Sequence, residues 1–501
     1  MDIFSHFLGG LQIALQPANL FYCFIGTLVG TFVGVLPGIG PTAAMALLLP
    51  ATFHLNPISA VIMLCGINYG SQFGGSTTSI LVNIPGETSS VVTCFDGYQM
   101  ARKGRAGPAL GMAALGSLIA GTVAVVGLML VAPSLAKASL RFGAPEFFSL
   151  LLASMLMVTY LVSGSMLRAI MMVAVGLVFG TVGMDIIAGA ERFTYGIPQL
   201  KDGIGVFPLA LGLFGVAQVL EAMGSSVKTE VLGGKIKGNW PNRQDWKDSG
   251  GPIARGTLLG FLMGVFPGFS PMLATFMSYS IEKKLSKHPE RFGTGTIEGV
   301  AAPESCNNAC CTSGYIPLFA LGIPSNSYNA VLLGAMTLYG LRPGPTFIAM
   351  NAKFFWGIIA SMYIGNVLCL ILNLPLIPLW VQVLRIPATL LSVLILIFCF
   401  LGAYTINYSV FDVAVAVTFG LFGYLLKKYE FEPAPLVLAF ILGPQIEMTF
   451  GQSMIMSDGS LMIFISRPIS AFFVLLALTI IVTGFLGKRA FAKQLKESPE
   501  V

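Results

Sequence analysis

The residues best suited to chemistry form a polar run inside apolar sequence, between Tyr69 and Ser79. The run is rich in Gly, Ser and Thr, and the sequence Asn-Ile-Pro-Gly-Glu-Thr follows it at 83–88. Glycines let a helix unwind, and hydroxyl, amide and carbonyl oxygens are ligands for a small hard cation. Half-helix N-termini would instead favour an anion such as a carboxylate. Small polar residues also mediate helix packing in membranes, so each residue has a structural alternative.

A second polar run reads Pro-Glu-Ser-Cys-Asn-Asn at 303–308, and Gly-Ile-Pro-Ser-Asn-Ser follows at 322–327. Glu304 in this run and Glu87 in the first are the acids of most interest. A carboxylate at membrane depth is a functional hypothesis by default, as a cation ligand or a proton carrier. The alternative is that both acids lie at the membrane interface, where Glu87 would cap the start of a helix.

Other chemistries have less support. Arg168 interrupts an apolar run and could bind a substrate carboxylate, but we favour a snorkelling arginine in a short cytoplasmic turn. The chain has no H-E-x-x-H sequence, and Gly38-Ile39-Gly40 lacks the Gly-Lys-Ser/Thr ending of a Walker sequence. Cys306, Cys310 and Cys311 have no histidine beside them. We therefore expect reduced packing cysteines and no metal beyond a coupling cation.

The composition places these residues in a membrane. Hydrophobic residues make up 55% of the 501 and charged residues 10%, whereas soluble domains carry about 25% charged residues. Runs such as 111–132 and 354–376 reach the length that a spanning helix needs, and about 10–12 such segments fit in the chain. The N-terminus lacks the features of a cleavable signal peptide, so we expect the first span to direct targeting. The net charge of +6 arises in loops and gives no reason to expect nucleic-acid binding.

The apolar elements that must position the polar runs are duplicated. The sequence GTLVGTFVGVLPGIGP at 26–41 returns as GTLLGFLMGVFPGFSP at 256–271, with nine of 16 positions identical at an offset of 230 residues. The Asn-Ile-Pro-Gly sequence at 83–86 has a counterpart, Gly-Ile-Pro-Ser, at 322–325. This pattern indicates two repeats, each centred on a broken apolar helix.

The distribution of Lys and Arg predicts that the two repeats enter the membrane from opposite sides. The segments that flank the first copy lack both residues, whereas residues 225–255 contain six of them. Basic loops are cytoplasmic, so each copy begins and ends on one side, as a re-entrant hairpin turning at Pro37-Gly38 or Pro267-Gly268. The predicted fold class is an all-α polytopic membrane protein with about 10–12 transmembrane segments in two inverted-topology repeats with broken or re-entrant hairpins.

The predicted organisation has four parts. They are a first transmembrane repeat at 1–222 with core motifs at 26–108, a cytoplasmic polar loop at 223–255, a second repeat at 256–487 with core motifs at 256–345, and a basic cytoplasmic tail at 488–501.

At these motifs the chain resembles the large membrane subunit of tripartite tricarboxylate transporters, the TctA family. The resemblance rests on GVLPGIGPTAAMALLLPATF, YGSQFGGSTTSILVNIPGE, FDGYQMARKGRAGPALG, GVFPGFSPMLATFMSYSIEKK, APESCNNA and LGIPSNSYNAVLLGAMTLYGLRPGP. It covers most of the chain, although after Lys353 the match lies mainly in hydropathy. Two departures from the family pattern are visible. Cys306 and Cys310-Cys311 stand where small residues such as Ala or Gly are expected, and Ser325-Asn326-Ser327 follows Ile-Pro where Gly is common, so no particular relative's substrate carries over.

The resemblance implies a multi-pass permease of the bacterial inner membrane, driven by an ion gradient, and no enzymatic activity. Its implied partners are a periplasmic solute-binding protein, a small membrane subunit of about four spans, and a carboxylate substrate. It implies no cofactor other than a coupling ion, Na⁺ or H⁺. The basic tail predicts a cytoplasmic C-terminus, and the chain is compatible with a homodimer.

The predicted function is therefore uptake of a citrate-like di- or tricarboxylate with cation symport, with Na⁺ favoured. The alternative is the same architecture transporting another solute, such as an aromatic or sugar acid, with H⁺ coupling. The residues expected to bind the substrate are Pro37, Gly38, Gly40, Thr42, Gly74, Gly75, Ser76, Thr77, Gly268, Ser270, Asn307 and Asn308. Those expected to bind the cation are Thr77, Thr78, Asn83, Gly86, Glu87, Glu304, Ser325, Asn326 and Ser327.

Overall fold

The computed structural model describes residues 3–36, 40–161, 165–185, 189–224, 240–383 and 388–497. In the first part of the chain the α-helices are α1 (Ile3–Ala14), α2 (Pro17–Val35), α3 (Pro41–Thr52), α4 (Pro57–Val82), α5 (Val91–Thr93), α6 (Gln99–Arg102), α7 (Ala106–Ser139), α8 (Ala144–Leu161), α9 (Met166–Gly180), α10 (Val206–Ala210) and α11 (Ala217–Gly224). Short 3₁₀ helices lie at Thr88–Ser90 and Pro198–Leu200, and π-helices at Cys94–Tyr98 and Leu211–Val216. Strands β1 (Gly183–Met184) and β2 (Glu191–Arg192) pair antiparallel.

The second part of the chain is also helical. Its helices are α12 (Arg243–Val265), α13 (Pro271–Leu285), α14 (Glu298–Ser313), α15 (Tyr315–Leu321), α16 (Ser327–Leu338), α17 (Phe347–Met350), α18 (Ala352–Asn373), α19 (Ile377–Val383), α20 (Ala388–Asn407), α21 (Val410–Lys428), α22 (Ala434–Met456), α23 (Ile463–Ser466) and α24 (Pro468–Glu497), with a 3₁₀ helix at Pro289–Arg291.

Within the described ranges, five helices are long and apolar enough to cross a membrane: α2, α7, α18, α21 and α22. Several others, such as α3, α9 and α16, are apolar but shorter. The predicted all-α membrane fold is confirmed. The larger number of spans, the re-entrant hairpins and the predicted repeat boundaries stay predictions, and Pro37 and Gly38 lie outside the described residues.

The helices form two compact units, one made of residues 1–137 and 205–425 and the other of 138–204 and 426–501. In the second unit, α8 packs against α22 and α24, and α9 packs against α22. Arg168 lies 3.0 Å from a carboxylate oxygen of Glu430 and 5.4 Å from the centre of the Phe431 ring. A substrate carboxylate that bound Arg168 would therefore have to displace Glu430 from it.

In the first unit, α2 and α4 approach each other through glycines. A Cβ atom added at any of three α2 glycines would lie within 3.0 Å of a backbone oxygen of α4. The pairs are Gly26 with Met63, Gly30 with Ile67, and Gly34 with Ser71. Backbone contact of this kind is typical of helix pairs built from small residues in membranes.

The same contact recurs between α12 and α14. Here the pairs are Gly256 with Ala302, Gly260 with Cys306, and Gly264 with Cys310. The glycines of the two sets are 230 residues apart, and the residues whose oxygens they approach are 239 apart. The same 239-residue spacing relates Asn83 to Gly322, and both residues have a left-handed backbone conformation (φ 61° and 72°). It also relates Glu87 to Asn326, and each of these residues is the N-cap of a helix. The duplication seen in the sequence therefore extends to helix packing and helix termini.

The two repeats also exchange contacts. Helix α16, which follows the break in the second repeat, packs on α3 and α4 of the first. The segment 88–98, which follows the break in the first repeat, packs on α13 and α14 of the second. The consequence for function is that residues after each break lie against the other repeat.

The glycine contacts predict a strong steric effect. Replacing Gly260 by Leu should destabilise the chain by about 1–3 kcal/mol or more, because the side chain would be forced into the α14 backbone. Thermal unfolding of the detergent-purified protein measures this. Gly250→Leu is the matched control on the same helix, since no atom lies within 4 Å of a Cβ added there. Equal unfolding temperatures for the two variants would contradict the close contact.

Candidate functional site

Glu304 is held by hydroxyl groups of the other repeat. The residue is 1% exposed, on a helix whose residues from Gly299 to Ser313 are all buried. Ser76 Oγ on α4 donates to Glu304 Oε2 at 2.6 Å, and Thr93 Oγ1 on α5 donates to Oε1. The two oxygens of this carboxylate are thus bound from two elements of the first repeat.

Glu87 is both a helix cap and a buried acid. Its backbone is extended, and its Oε2 accepts a hydrogen bond from the Ser89 N–H at 2.9 Å. The Ser89 hydroxyl donates to Oε1, and Asn307 Nδ2 on α14 lies 3.4 Å from the same oxygen. The residue is 7% exposed. Of the two interpretations of Glu87, capping is therefore observed, but with the acid buried in protein rather than in water.

The Ser89 hydroxyl is surrounded by more acceptors than it has protons. Besides Glu87 Oε1, it lies 3.1 Å from Gln72 Oε1 and 2.8 Å from Asn307 Oδ1. A hydroxyl carries one proton and can satisfy one of these acceptors at a time. The Asn307 amide nitrogen, 3.1 Å from Gln72 Oε1, is a further donor. Oxygen lone pairs converge here in excess, which is the arrangement that a bound cation would use.

Neither acid is neutralised by a basic side chain in the described part of the chain. The ion pairs described in this unit involve other acids: Arg105–Asp245, Arg255–Glu282 and His288–Glu290. A buried carboxylate without a cationic partner is costly, by several kcal/mol per ion even after relaxation. A bound cation, or a proton on Glu87 and Glu304, would remove this cost.

Asp96 fixes the segment that carries Thr93. Its fully buried carboxylate accepts hydrogen bonds from the backbone N–H groups of Gly293, Gly295 and Thr296, at 2.7 to 3.0 Å, and from the Tyr279 hydroxyl at 2.8 Å. These donors belong to α13 and the loop before α14. Four donors on one carboxylate bind the post-break segment of the first repeat to the second, and so hold Thr93 against Glu304.

Several residues predicted from sequence have a structural explanation in the packing of the helices. Gly74 and Gly86 let backbones approach, since an added Cβ would lie within 3.0 Å of Thr31 O or Gly34 O. Thr78 Oγ1 donates to Val35 O, at the end of α2, at 2.6 Å. Asn83 ends α4, and Gly75 leaves room for the Glu87 side chain, whose Cγ would lie 2.8 Å from a Cβ there. Whether any of these also binds substrate or cation stays a prediction.

The predicted residues near the second break form a separate group. Gly268 (φ 95°) donates its N–H to Ser325 O at 3.2 Å, and Ser325 Oγ donates to Gly314 O at 3.0 Å. Asn326 caps α16 by accepting from the Asn329 N–H at 3.0 Å, and Ser327 is the first residue of that helix.

Two further helix N-termini carry predicted residues. Ser270 precedes α13, and Gly40 precedes α3, whose second residue is Thr42. No atom lies within 4 Å of a Cβ added at Gly40. Their caps, like Asn326, are uncharged, in contrast to Glu87. An uncharged helix N-terminus is the kind that can accept an anion from outside the chain.

Asn308 and Thr77 belong to the surroundings of Glu304. Asn308 Nδ2 donates to Ser117 Oγ on α7 at 2.7 Å and to Glu304 O at 3.1 Å. Thr77 and Ser76 line a cavity of about 10 Å³ together with Ser117 and Asn373 of α18. The sequence-based prediction included Asn308, Ser76 and Thr77 but not Ser117 or Asn373.

The sequence-based prediction also missed other residues that surround the two acids, notably Ser89 and Thr93. A usable signal existed for each. Ser89 and Thr93 follow Glu87 in a hydroxyl-rich segment, and Ser117 and Asn373 are polar residues in long apolar helices. An isolated polar residue at membrane depth is itself a functional indicator.

A larger cavity, of about 530 Å³, has the volume of a small-ligand site. It lies between α3 and α20, and its lining is mostly apolar, with His54, Thr405, Asn407 and Tyr408 as its main polar residues. None of the residues predicted to bind substrate lines it. A di- or tricarboxylate needs several donors, so this cavity is a poor match for its charged groups.

Two proteins of Agrobacterium vitis are similar in sequence to this chain. A protein encoded 3′ of ttuC′ in the TAR-I region of Agrobacterium vitis, of 52.8 kDa, is 50% identical over 486 residues, which are 97% of both chains. A second A. vitis protein, from the corresponding TAR-II region, is 48% identical over 227 residues, covering 45% of this chain and 94% of the relative. No solved structure matches the chain significantly.

The family comparison agrees with the resemblance found in the motifs. The family model for the tripartite tricarboxylate transporter TctA family matches residues 20–438, a range that includes the core motifs of both predicted repeats, both acids and every predicted site residue. This is a family of transporters and not of enzymes. On the strength of that match, the chain belongs to the tripartite tricarboxylate transporter TctA family.

Proposed function

We propose that this chain is the permease subunit of a binding-protein-dependent secondary transporter that takes up an organic di- or tricarboxylate together with Na⁺. Membership of the TctA family makes it the membrane subunit of a tripartite system. The identities of the substrate, the coupling ion and the partner subunits are part of this proposal. We expect a periplasmic binding protein to deliver the substrate and a small membrane subunit to complete the complex.

One observation carries the coupling proposal: two buried acids lie between the repeats without a basic partner in the described chain. Asp96 is a third buried acid, but its carboxylate has four hydrogen-bond donors, whereas the carboxylate of Glu304 has two hydroxyl donors. The charge of Glu304 is therefore less well compensated within the chain. A cation that binds and dissociates in each transport cycle would compensate the charges of both acids while it is bound. The oxygens around Ser89 would supply its ligands.

The electrical work of uptake favours the same conclusion. Moving one elementary charge against a membrane potential costs about 2.3 kcal/mol per 100 mV. A substrate with two or three negative charges would therefore be strongly opposed by a negative-inside membrane. Cations carried in the same cycle offset this cost, and the concentration gradient of Na⁺ adds to the driving force.

We further propose that the two repeats have opposite orientations in the membrane. The reciprocal packing of α16 and the 88–98 segment supports a two-fold relation between the repeats. The basic loop at 225–255 and the lack of basic residues around the first copy support an axis in the membrane plane. The uncharged N-termini of α3, α13 and α16 are then candidates for holding the substrate's carboxylates near the midplane.

Uptake into proteoliposomes tests the proposal. The chain, the small membrane subunit and the binding protein are assembled, and labelled citrate uptake is measured with and without an inward Na⁺ gradient. The pH and voltage are held fixed. We expect uptake above the equilibrium level only with the gradient. Equal rates in both conditions would reject Na⁺ coupling, and dependence on a pH gradient instead would support the H⁺ alternative.

The substrate class is tested separately, by competition. Unlabelled dicarboxylates, tricarboxylates, aromatic acids and sugar acids are added in excess to the same assay. We expect the di- or tricarboxylates to compete best, because several uncharged helix N-termini suit more than one carboxylate. Competition only by aromatic or sugar acids would support the alternative solute class.

A further inference from the structure

The cavity of about 10 Å³ beside Ser76 is large enough for a single water-sized occupant. Three hydroxyl-bearing residues, Ser76, Thr77 and Ser117, line it together with Asn373. The rest of its wall is apolar and comes from α4 and α7, including Phe73 and Leu110. Polar residues from α4, α7 and α18 therefore line one small space.

The side-chain oxygen of Asn373 is available to bind an occupant of this cavity. The residue is 4% exposed, and its Nδ2 donates to Cys369 O at 2.8 Å and to Thr31 Oγ1 at 3.3 Å. Its Oδ1 is buried and has no hydrogen-bond partner among the described residues. Leaving a buried amide oxygen unsatisfied is unfavourable, so an occupant that uses its lone pairs would be stabilised.

The serines of the cavity have free lone pairs as well. Ser76 Oγ uses its proton toward Glu304 Oε2 at 2.6 Å, and Ser117 Oγ accepts from Asn308 Nδ2 at 2.7 Å. Each oxygen therefore keeps at least one lone pair free for another interaction. The fully buried Glu304 is one hydrogen bond away and supplies a negative charge without a basic partner in the described chain.

We propose that this cavity is a second cation site, distinct from the cluster around Ser89, and that it holds one dehydrated Na⁺. Asn373 Oδ1 and the hydroxyl oxygens of Ser76, Thr77 and Ser117 are its ligands, and Glu304 balances its charge. Oxygen ligands and a single nearby carboxylate suit a small monovalent cation. The inference rests on the proposed cation coupling and adds that two cations accompany each substrate.

Asn373→Leu tests the site, because it removes the amide oxygen while nearly keeping the side-chain shape. Asn366→Leu is the matched control: it is also a buried asparagine on α18, and it faces α7 at Gly121. Uptake is measured against Na⁺ concentration in proteoliposomes, and binding of radioactive Na⁺ is measured on the purified chain. Ser117→Ala and Asn373→Asp serve as milder variants, and thermal unfolding confirms that each is folded.

For the wild type we expect a Hill coefficient approaching about 2, since two sites set the upper limit. Asn373→Leu should lower it toward 1, halve the bound Na⁺ at saturation, and raise the half-saturating Na⁺ concentration about tenfold or more. Ser117→Ala should shift affinity in the same direction, Asn373→Asp should retain binding, and Asn366→Leu should match the wild type.

Two results would overturn the proposal in distinguishable ways. If the wild type is Na⁺-dependent and folded Asn373→Leu and Ser117→Ala variants keep its Hill coefficient and Na⁺ affinity, the cavity holds water and this inference alone fails. If the wild type neither depends on Na⁺ nor binds it, the proposed coupling fails together with the site.

Discussion

Glu304→Gln should reduce cation-coupled uptake by about 100-fold, because removing one partner of a buried charge interaction costs about 2–5 kcal/mol. Glutamine keeps the shape of the side chain and can still accept a hydrogen bond from Ser76 or Thr93. It lacks the charge that a bound cation or a carried proton needs. The loss should therefore appear in transport rather than in folding.

Uptake by the reconstituted complex and thermal unfolding of the purified chain measure the two effects separately. We expect the unfolding temperature of Glu304→Gln to equal or exceed that of the wild type, since a buried charge destabilises the cation-free fold. Glu298→Gln is the control on the same helix, where the acid is partly exposed and hydrogen-bonded to Thr296. Wild-type uptake by a folded Glu304→Gln variant would remove this acid from the coupling mechanism.

Glu87→Asn should raise the half-saturating Na⁺ concentration about tenfold or more while leaving the fold nearly unchanged. The equivalent position in the second repeat, Asn326, shows that asparagine can cap this turn in the same extended conformation. The substitution thus separates the two roles of Glu87, because it keeps a capping side chain and removes a charged cation ligand.

Two comparisons make the interpretation of Glu87 specific. Glu87→Ala removes both cap and charge, so it should lose Na⁺ affinity and also about 1 kcal/mol of stability. Asn326→Ala removes a cap without removing a charge, so it should lose similar stability, and a change in its Na⁺ affinity would show whether Asn326 also binds the cation as its sequence context predicts. If Glu87→Asn kept the wild-type Na⁺ dependence, Glu87 would be a structural cap alone.

The two repeats differ in where they carry acidic residues. Equivalent breaks end in Glu87 in one repeat and Asn326 in the other, and at the 239-residue spacing the counterpart of Glu304 is Cys65. Of these two pairs of equivalent positions, the acid in each pair therefore lies in the cluster formed by α4, α14 and the segment after Glu87. We propose that duplication supplied two similar frameworks, that one of them became the principal cation cluster, and that uncharged helix N-termini were left to bind the anion.

The amino-acid sequence by itself determined the class of protein and revealed its repeated motif. High hydrophobic content and long apolar runs require a membrane, because such segments cannot be covered by the few charged residues present. The repeated motif at 26–41 and 256–271 revealed the duplication, and Glu87 and Glu304 stood out as acids in apolar surroundings. These features are local, so they can be read without knowing how the helices pack.

Only the tertiary structure decided which residues share a site. Ser76 and Glu304 are 228 positions apart, and Ser89 and Asn307 are 218 apart, yet each pair is in hydrogen-bond contact. No local pattern predicts such pairs, because they arise from the exchange of post-break segments between the repeats. The same packing placed Thr78 and Gly86 against the end of α2 and brought Ser117 and Asn373 to Ser76. Residue types set the available chemistry, and the packing of helices far apart in the chain set which atoms could act together.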